Sequence, residues 1–269
     1  MGVRTGGGNV YTIPAHLQEP PVMALQRSES LFPDHAVPIG QPGKRVVRNG
    51  EATNDLVFSA YAQSNAEVFP RILDLYLRPG CLVADATYGK GAFWKRVPDG
   101  LYRLRATDIQ DGVDCRQLPY EDGEIDCVVL DPPYMHSPGG TAHTGHTAFE
   151  SHYRNNETGN LTASKYHEAV LDLYVEAGEE AYRVLRERGV LIVKCQDEVC
   201  SNRQCFTHVE IMAAYARIGF VAEDLFVVLR NNRPRVSRAV RQVHARKNHS
   251  YFLVFWKRGG SGPLWQPPE

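Results

Sequence analysis

The sequence predicts an α/β fold, a mostly parallel, doubly wound sheet with helices on both faces. Three observations predict it. Short apolar runs, such as Cys81–Asp85, Cys127–Leu130 and Val190–Lys194, have the length and continuity of strands buried on both faces. Amphipathic stretches of helical period stand between or beside them. A glycine-bearing turn follows the first run, and carboxylates stand at the C-terminal tips of several, the edge at which open α/β sheets bind ligands.

In order, residues 1–54 are rich in Gly and Pro, with Gly6-Gly7-Gly8, Pro20-Pro21 and Gln41-Pro42-Gly43, and keep no strand or helix period. They read as an extended or partly disordered arm. Globular sequence starts near Asp55. Ser64 with Glu67 three residues on forms a capping-box signature, and Val68, Ile72, Leu73 and Tyr76 follow at helical spacing. Arg78-Pro79-Gly80 ends that helix ahead of the first strand. Next, Asp85-Ala86-Thr87-Tyr88-Gly89-Lys90-Gly91 reads as a strand end and a glycine turn leading into a helix. A phosphate-binding P-loop does not fit, because Lys90 is followed by Gly91 where Ser or Thr is needed.

A second strand over Arg103–Thr107 ends at Asp108, and a short third strand is expected before Asp114. An acid at the second strand's tip suits ribose hydroxyls; Asp108 also reads as a turn residue, and Asp114 equally as a turn or surface residue. The strand Cys127–Leu130 ends in Asp131-Pro132-Pro133-Tyr134. The prolines stop the ladder and stiffen the loop, so carboxylate and ring are placed in advance. The spacing from Asp85 to Asp131 fits about three βα units.

Together these two loops resemble S-adenosylmethionine-dependent methyltransferases that act on exocyclic amino groups of nucleic-acid bases. Asp-Pro-Pro-Tyr after an apolar strand is similar to their catalytic motif, and an acid followed by Gly-x-Gly to their cofactor loop; Thr87 and Tyr88 depart from the usual aromatic pair there. The resemblance covers residues 55–257 and implies a Rossmann-like class I methyltransferase fold with an antiparallel C-terminal hairpin. It implies Asp131, the carbonyl of Pro132 and Tyr134 as catalytic residues, the first two accepting the amine's hydrogen bonds and the ring stacking on an extruded base. It assigns S-adenosylmethionine to Asp85, Thr87, Gly89, Gly91, Asp108 and Asp114. It implies DNA as the partner, with adenine N6 preferred over cytosine N4, since the family's cytosine members more often carry Ser in place of Asp. RNA, or a non-catalytic nucleic-acid-binding subunit, stands as the alternative.

Residues 135–165 form a polar insertion at the same edge, expected to be a substrate lid or recognition loop. Its His136, His143, His146 and His152 match no zinc spacing, and no metal is expected. One long helix is expected over Tyr166–Arg188 with Gly189 as its C-cap, then the strand Val190–Lys194. Gln196 and Asp197 at its tip face the pocket or cap the next element. Phe206–Ile218 reads as a helix ended by Gly219, followed by strands Phe220–Leu229 and Tyr251–Trp256.

The chain has 269 residues, 43% hydrophobic and 23% charged, with a net charge of −1. That average hides an asymmetry. From Leu225 to Pro268 there is no Asp or Glu, while Arg233, Arg235, Arg238, Arg241 and Lys247 crowd the 230–249 loop. A basic loop without compensating acids suits phosphates; a solvated surface loop is the alternative. Both recognition segments are short, which would suit a small target, a dimer or a partner subunit. No apolar run is long enough to span a bilayer, no apolar leader opens the chain, and six cysteines do not make a disulfide scaffold, so a reduced cytoplasmic setting is expected. The domain expectation is an arm over 1–54, a methyltransferase domain over 55–258 and a tail over 259–269.

Overall fold

The computed structural model describes residues 56–134, 167–230, 243–245 and 247–258. The N-terminal arm, the 135–165 insertion, the C-terminal tail and Arg233, Arg235, Arg238 and Arg241 lie outside the described residues. The elements are β1 (Ala60–Tyr61), α1 (Asn65–Tyr76), β2 (Leu82–Asp85), β3 (Arg103–Ala106), β4 (Ile125–Leu130), α2 (His167–Val184), β5 (Leu185–Cys195), β6 (Glu198–Cys200), β7 (Arg203–Cys205), α3 (Thr207–Ile218), β8 (Phe220–Leu229) and β9 (His249–Lys257).

Seven strands form one sheet in the order β1-β8-β9-β5-β4-β2-β3, with β6 and β7 as a separate hairpin. β3, β2, β4 and β5 are parallel, and β9 runs antiparallel to both β5 and β8. This is the Rossmann-like class I arrangement, with the expected reversed last hairpin. β4 and most of β5 have no outward polar face. Cys127–Leu130 and Leu191–Val193 are fully buried, because helices cover the sheet on both sides.

α1 packs on one face, through Val68, Phe69, Ile72 and Leu73, against Val83, Cys127, Val129, Ile192, Phe252 and Val254. α2 and α3 pack on the other, through Val170, Tyr174, Ala177 and Ala181 and through Ile211 and Tyr215. The expected capping box is present at α1. Glu67 Oε2 accepts from Ser64 N at 2.9 Å, and Glu67 N donates to Ser64 O at 3.0 Å. Pro70 sits inside α1 and removes one helical bond. The helix persists because its Phe69 and Ile72 neighbours are wholly buried, each such burial contributing about 1.5–3 kcal/mol.

Four expectations are corrected. No α-helix follows the glycine turn; a 3-10 turn over Trp94–Arg96 stands there. No third strand forms before Asp114; the chain turns through a 3-10 segment, Ile109–Asp111, whose cap is the Asp108 side chain. α2 stops at Val184 and passes directly into β5, since Leu185 already pairs with Ile125. Gly189 is therefore inside β5 rather than a helix cap. Its need for glycine is steric: a Cβ would lie 2.8 Å from Arg186 O and 3.2 Å from Asp126 O. Gly219 does cap α3 as expected, in the left-handed region. No helix among the described residues is long and apolar enough to cross a membrane.

Where α2 crosses α3, Gly178 lies against Tyr215, and a Cβ there would fall 2.4 Å from its Cε1. Tyr215 is fully buried and pinned by a 2.8 Å bond from its hydroxyl to Tyr174 O. Gly178→Ala gains about 1 kcal/mol of helix propensity but overpacks a site that cannot yield, at about 1–3 kcal/mol. The overpacking wins. The variant should melt a few degrees lower in a calorimetric scan, whereas an unchanged or raised midpoint would show that α2 and α3 can shift apart.

Candidate active site

The parallel tips of β2, β3, β4 and β5 gather the candidate residues at one edge. Asp85, the last residue of β2, is 3% exposed. Its Oδ1 accepts from Thr87 N at 3.1 Å and its Oδ2 from Trp94 Nε1 at 2.7 Å. Burial pushes its carboxyl up to about 6, against the pull of those two bonds. The Trp94 bond also explains why the chain curls after the glycine turn instead of running on as a helix.

The turn itself is built on backbone bonds. Tyr88 N donates to Thr107 O at 3.0 Å, and Gly89 N to Asp108 Oδ2 at 2.9 Å. Gly91 has φ 64° and lies under the Tyr88 ring, whose hydroxyl would be 2.5 Å from any Cβ. Tyr88 therefore folds back on its own loop. Asp108 also caps the following turn through Oδ1 and Gln110 N at 3.0 Å. Each of its oxygens carries one backbone bond and keeps a second lone pair.

Asp114, read equally as a cofactor contact and as a turn residue, is held in a turn by Arg116. Arg116 grips it side-on, Nε to Oδ1 at 3.0 Å and a terminal nitrogen to Oδ2 at 2.7 Å, and Arg116 N donates to Oδ1 at 2.9 Å. Burial would raise this carboxyl, but the Arg116 bonds outweigh it and hold it below the usual range. Asp114 serves a turn and an ion pair that reaches on to Glu176 of α2.

Asp131 begins the loop after β4. Its backbone N–H donates to Thr87 Oγ1 at 2.6 Å, which ties the Asp-Pro-Pro-Tyr loop directly to the glycine turn. Its half-buried carboxylate accepts from the Tyr134 hydroxyl through Oδ1. Burial pushes the Asp131 carboxyl well above its ordinary value, and the Tyr134 bond and the charge of Lys194 partly offset that. Pro132 is buried. Its carbonyl lies 3.5 Å from the Tyr174 hydroxyl, but that hydroxyl has a closer acceptor in Lys194 O at 2.8 Å, so the carbonyl keeps accepting capacity.

One group at this edge was not a candidate from the sequence. Lys194, at the tip of β5, is 1% exposed and bonds Ser250 Oγ at 2.7 Å. It lines a cavity of 290 Å³ with Gln63, Ser64, Tyr134, Arg230 and Ser250. The available signal was a lysine closing an otherwise apolar run. Asp197, expected to face the pocket or to cap the next element, turns to the start of α3, where its Oδ1 meets His208 Nδ1 at 2.6 Å and accepts from His208 N at 3.4 Å. Lys247, the one basic-loop candidate among the described residues, has its ammonium 5.8 Å from the centroid of the exposed Phe206 ring.

The family model described as DNA methylase, of the N6/N4 type, matches residues 125–262, slightly over half of the chain. The chain belongs to the N6/N4 DNA methylase family. The match begins at β4, so it includes Asp131-Pro132-Pro133-Tyr134, β5 and the last hairpin, while the glycine turn stands before it. No curated protein matches the sequence. Among solved structures, the chain is similar to a protein of Thermus thermophilus assigned as a DNA modification methylase and solved with S-adenosylmethionine. That match has 22% identity over 56% of this chain and 55% of the other, with a TM-score of 0.36. It is also similar to the 1,6-didemethyltoxoflavin-N1-methyltransferase of Burkholderia thailandensis, at 13% identity over 73% and 79% of the two chains, TM-score 0.46. The chain spans about half the length of the Thermus methylase structures it matches.

The Thr87–Asp131 bond is the joint between the two loops. Thr87→Val keeps the volume and leaves the Asp131 N–H without its partner, at about 1–3 kcal/mol. The expected result is a lower unfolding midpoint that Thr87→Ser restores. Equal stability in all three proteins would mean that the loops do not depend on this bond.

Proposed function

We propose that the protein transfers a methyl group from S-adenosylmethionine to an exocyclic amine of a DNA base, adenine N6 in the first instance. The observation that carries this reading is the joint just described: the family's Asp-Pro-Pro-Tyr loop and a glycine turn are held by one hydrogen bond at the same sheet edge. The cofactor fits the residues at that edge in part. Asp108 has free lone pairs for ribose hydroxyls at the tip of β3, and Gly89, at φ 53°, leaves the turn's backbone open. Asp114, held by Arg116, would meet the cofactor only with that ion pair in place. Bound there, S-adenosylmethionine supplies an already activated methyl.

The protein's own groups then have three tasks. Asp131 and the Pro132 carbonyl accept the N–H bonds of the target amine, which turns a flat, conjugated nitrogen toward a tetrahedral one with its lone pair free. The raised proton affinity of Asp131 equips it to take the proton that the methylated amine must lose. The Tyr134 hydroxyl bond fixes the carboxylate's orientation, and its ring offers a stacking face to an extruded base. Adenine is favoured on the motif's Asp, and DNA on the family and the acid-free basic span from Leu225 to Pro268, in which Arg233, Arg235, Arg238, Arg241 and Lys247 would meet phosphates. The domain reading, with 135–165 as a recognition segment, belongs to the same proposal. RNA is the second reading, since a similar motif serves RNA bases.

Purified protein with labelled cofactor should methylate DNA and leave RNA unlabelled, and sequencing of modified bases should report N6-methyladenine. Asp131→Ala should reduce transfer at least about 10²-fold while calorimetry finds cofactor binding near normal. Label appearing only in RNA would overturn the DNA assignment; joint loss of transfer and cofactor binding in the variant would overturn the role of Asp131.

A further inference from the structure

β4 and β5 run parallel with Leu130 paired to Val193. One step further along each strand stand Asp131 and Lys194, side by side at the sheet edge. Lys194 follows the alternation of Ile192 and lies against Phe252 on the α1 side of the sheet, in one cavity with Tyr134, whose hydroxyl bonds the Asp131 carboxylate. Lys194 is 1% exposed, which is rare for an ammonium unless a charge compensates it. Its hydrogen-bond partner is the neutral Ser250 Oγ at 2.7 Å, and its Nζ lies 4.1 Å from the centroid of the Phe252 ring. Neither contact replaces the hydration of a full charge, whose loss costs several kcal/mol. A methionine would fill this position without that loss. The charge therefore has a use, and the neighbouring charge of opposite sign is Asp131.

We propose that Lys194 is a positioning residue for the transfer reaction, a buried counter-ion that keeps the Asp131 carboxylate in the ionised form that accepts the amine. This rests on reading Asp131 as the catalytic carboxylate. Among the other groups near the pair, one further cation attracts the Asp131 charge, and more weakly than Lys194 does. Asp85, from β2, repels the Asp131 charge and so opposes its ionisation. That cation is Arg230, just after β8, which is exposed and screened; it favours the Asp131 charge less than Lys194 does and disfavours the Lys194 charge. The Tyr134 phenol is neutral and donates to Asp131. The Tyr174 phenol and the Cys195 thiol are pushed up by burial and stay neutral. The start of α1 and the residues just before it bring the uncharged Gln63, Ser64 and Asn65 to the cavity that Lys194 and Tyr134 line. Burial drives Lys194 toward losing its proton, and Asp131 works against that loss. Each charge thus supports the other.

Without the ammonium, the carboxylate is harder to ionise, so Asp131 holds its proton to higher pH. The test is infrared difference titration of the protonated Asp131 carboxyl, its band identified by its absence in Asp131→Asn. In Lys194→Met the midpoint should rise by about one pH unit or more, with the acid limb of the transfer rate moving alongside and cofactor affinity unchanged. Lys194→Arg should restore most of the parent midpoint. The coupling is reciprocal, so in Asp131→Asn the Lys194 ammonium, followed by carbon NMR of its ε position, should lose its proton at lower pH than in the parent. That second measurement decides the matter if Lys194→Met does not fold. An unmoved carboxyl midpoint, or an unmoved Lys194 titration in Asp131→Asn, would overturn the proposal. If the parent methylates no nucleic acid while both midpoints still move, the functional reading fails and the charge coupling stands as architecture alone.

Discussion

The site depends on a single side-chain contact, the Thr87 hydroxyl accepting the Asp131 backbone N–H. Thr87 belongs to the turn after β2 and Asp131 to the loop after β4, and the two strands are neighbours in the sheet. Without this bond the loops would be separate excursions from adjacent strands. With it, the position of the carboxylate is set relative to the glycine turn. Asp85 anchors the same turn from below, through Thr87 N and Trp94 Nε1. A chain of short contacts thus runs from the Trp94 indole to the Asp131 amide. Proline at two of the next positions then leaves the Asp-Pro-Pro-Tyr loop little freedom.

The same edge concentrates electrostatic work. Asp85 and Asp131 are both pushed up by burial, and Lys194 is pushed down. Burial penalises every one of these charges, so their presence together reflects a requirement other than stability. A carboxylate with raised proton affinity suits a group that first accepts an N–H bond and later a proton. A lysine beside it keeps that affinity from rising so far that the acceptor is lost near neutral pH. Asp108 and Asp114 follow a different logic: Asp114 is gripped by Arg116 in a turn, while each Asp108 oxygen takes one backbone N–H and keeps a lone pair.

Much of the frame was legible because burial writes itself into the sequence. β4 and β5 are apolar without alternation because helices cover both sides, and α1 announced itself through Ser64 and Glu67. What the sequence did not disclose depended on side chains capturing backbone groups. Asp108 and Asp114 take nearby N–H groups and replace the expected third strand with turns. The Trp94 indole, drawn to Asp85, replaces a helix with a 3-10 turn. The helical period of α2 ran on past its true end because Leu185 is apolar in either setting, and only its pairing with Ile125 makes it a strand residue. Lys194 was hidden for a related reason. Its significance lies in what stands beside it across β4 and β9, and neither neighbour is near it in sequence.

A crystal structure of the protein with S-adenosylhomocysteine and a short DNA duplex is the most direct measurement of whether Asp131 meets the reacting amine. The proposed reaction predicts the cofactor's sulfur opposite the Asp131 carboxylate, separated by one extruded base whose amine bonds Asp131 and the Pro132 carbonyl. A sulfur remote from Asp131, or a gap too narrow for a planar base, would contradict it.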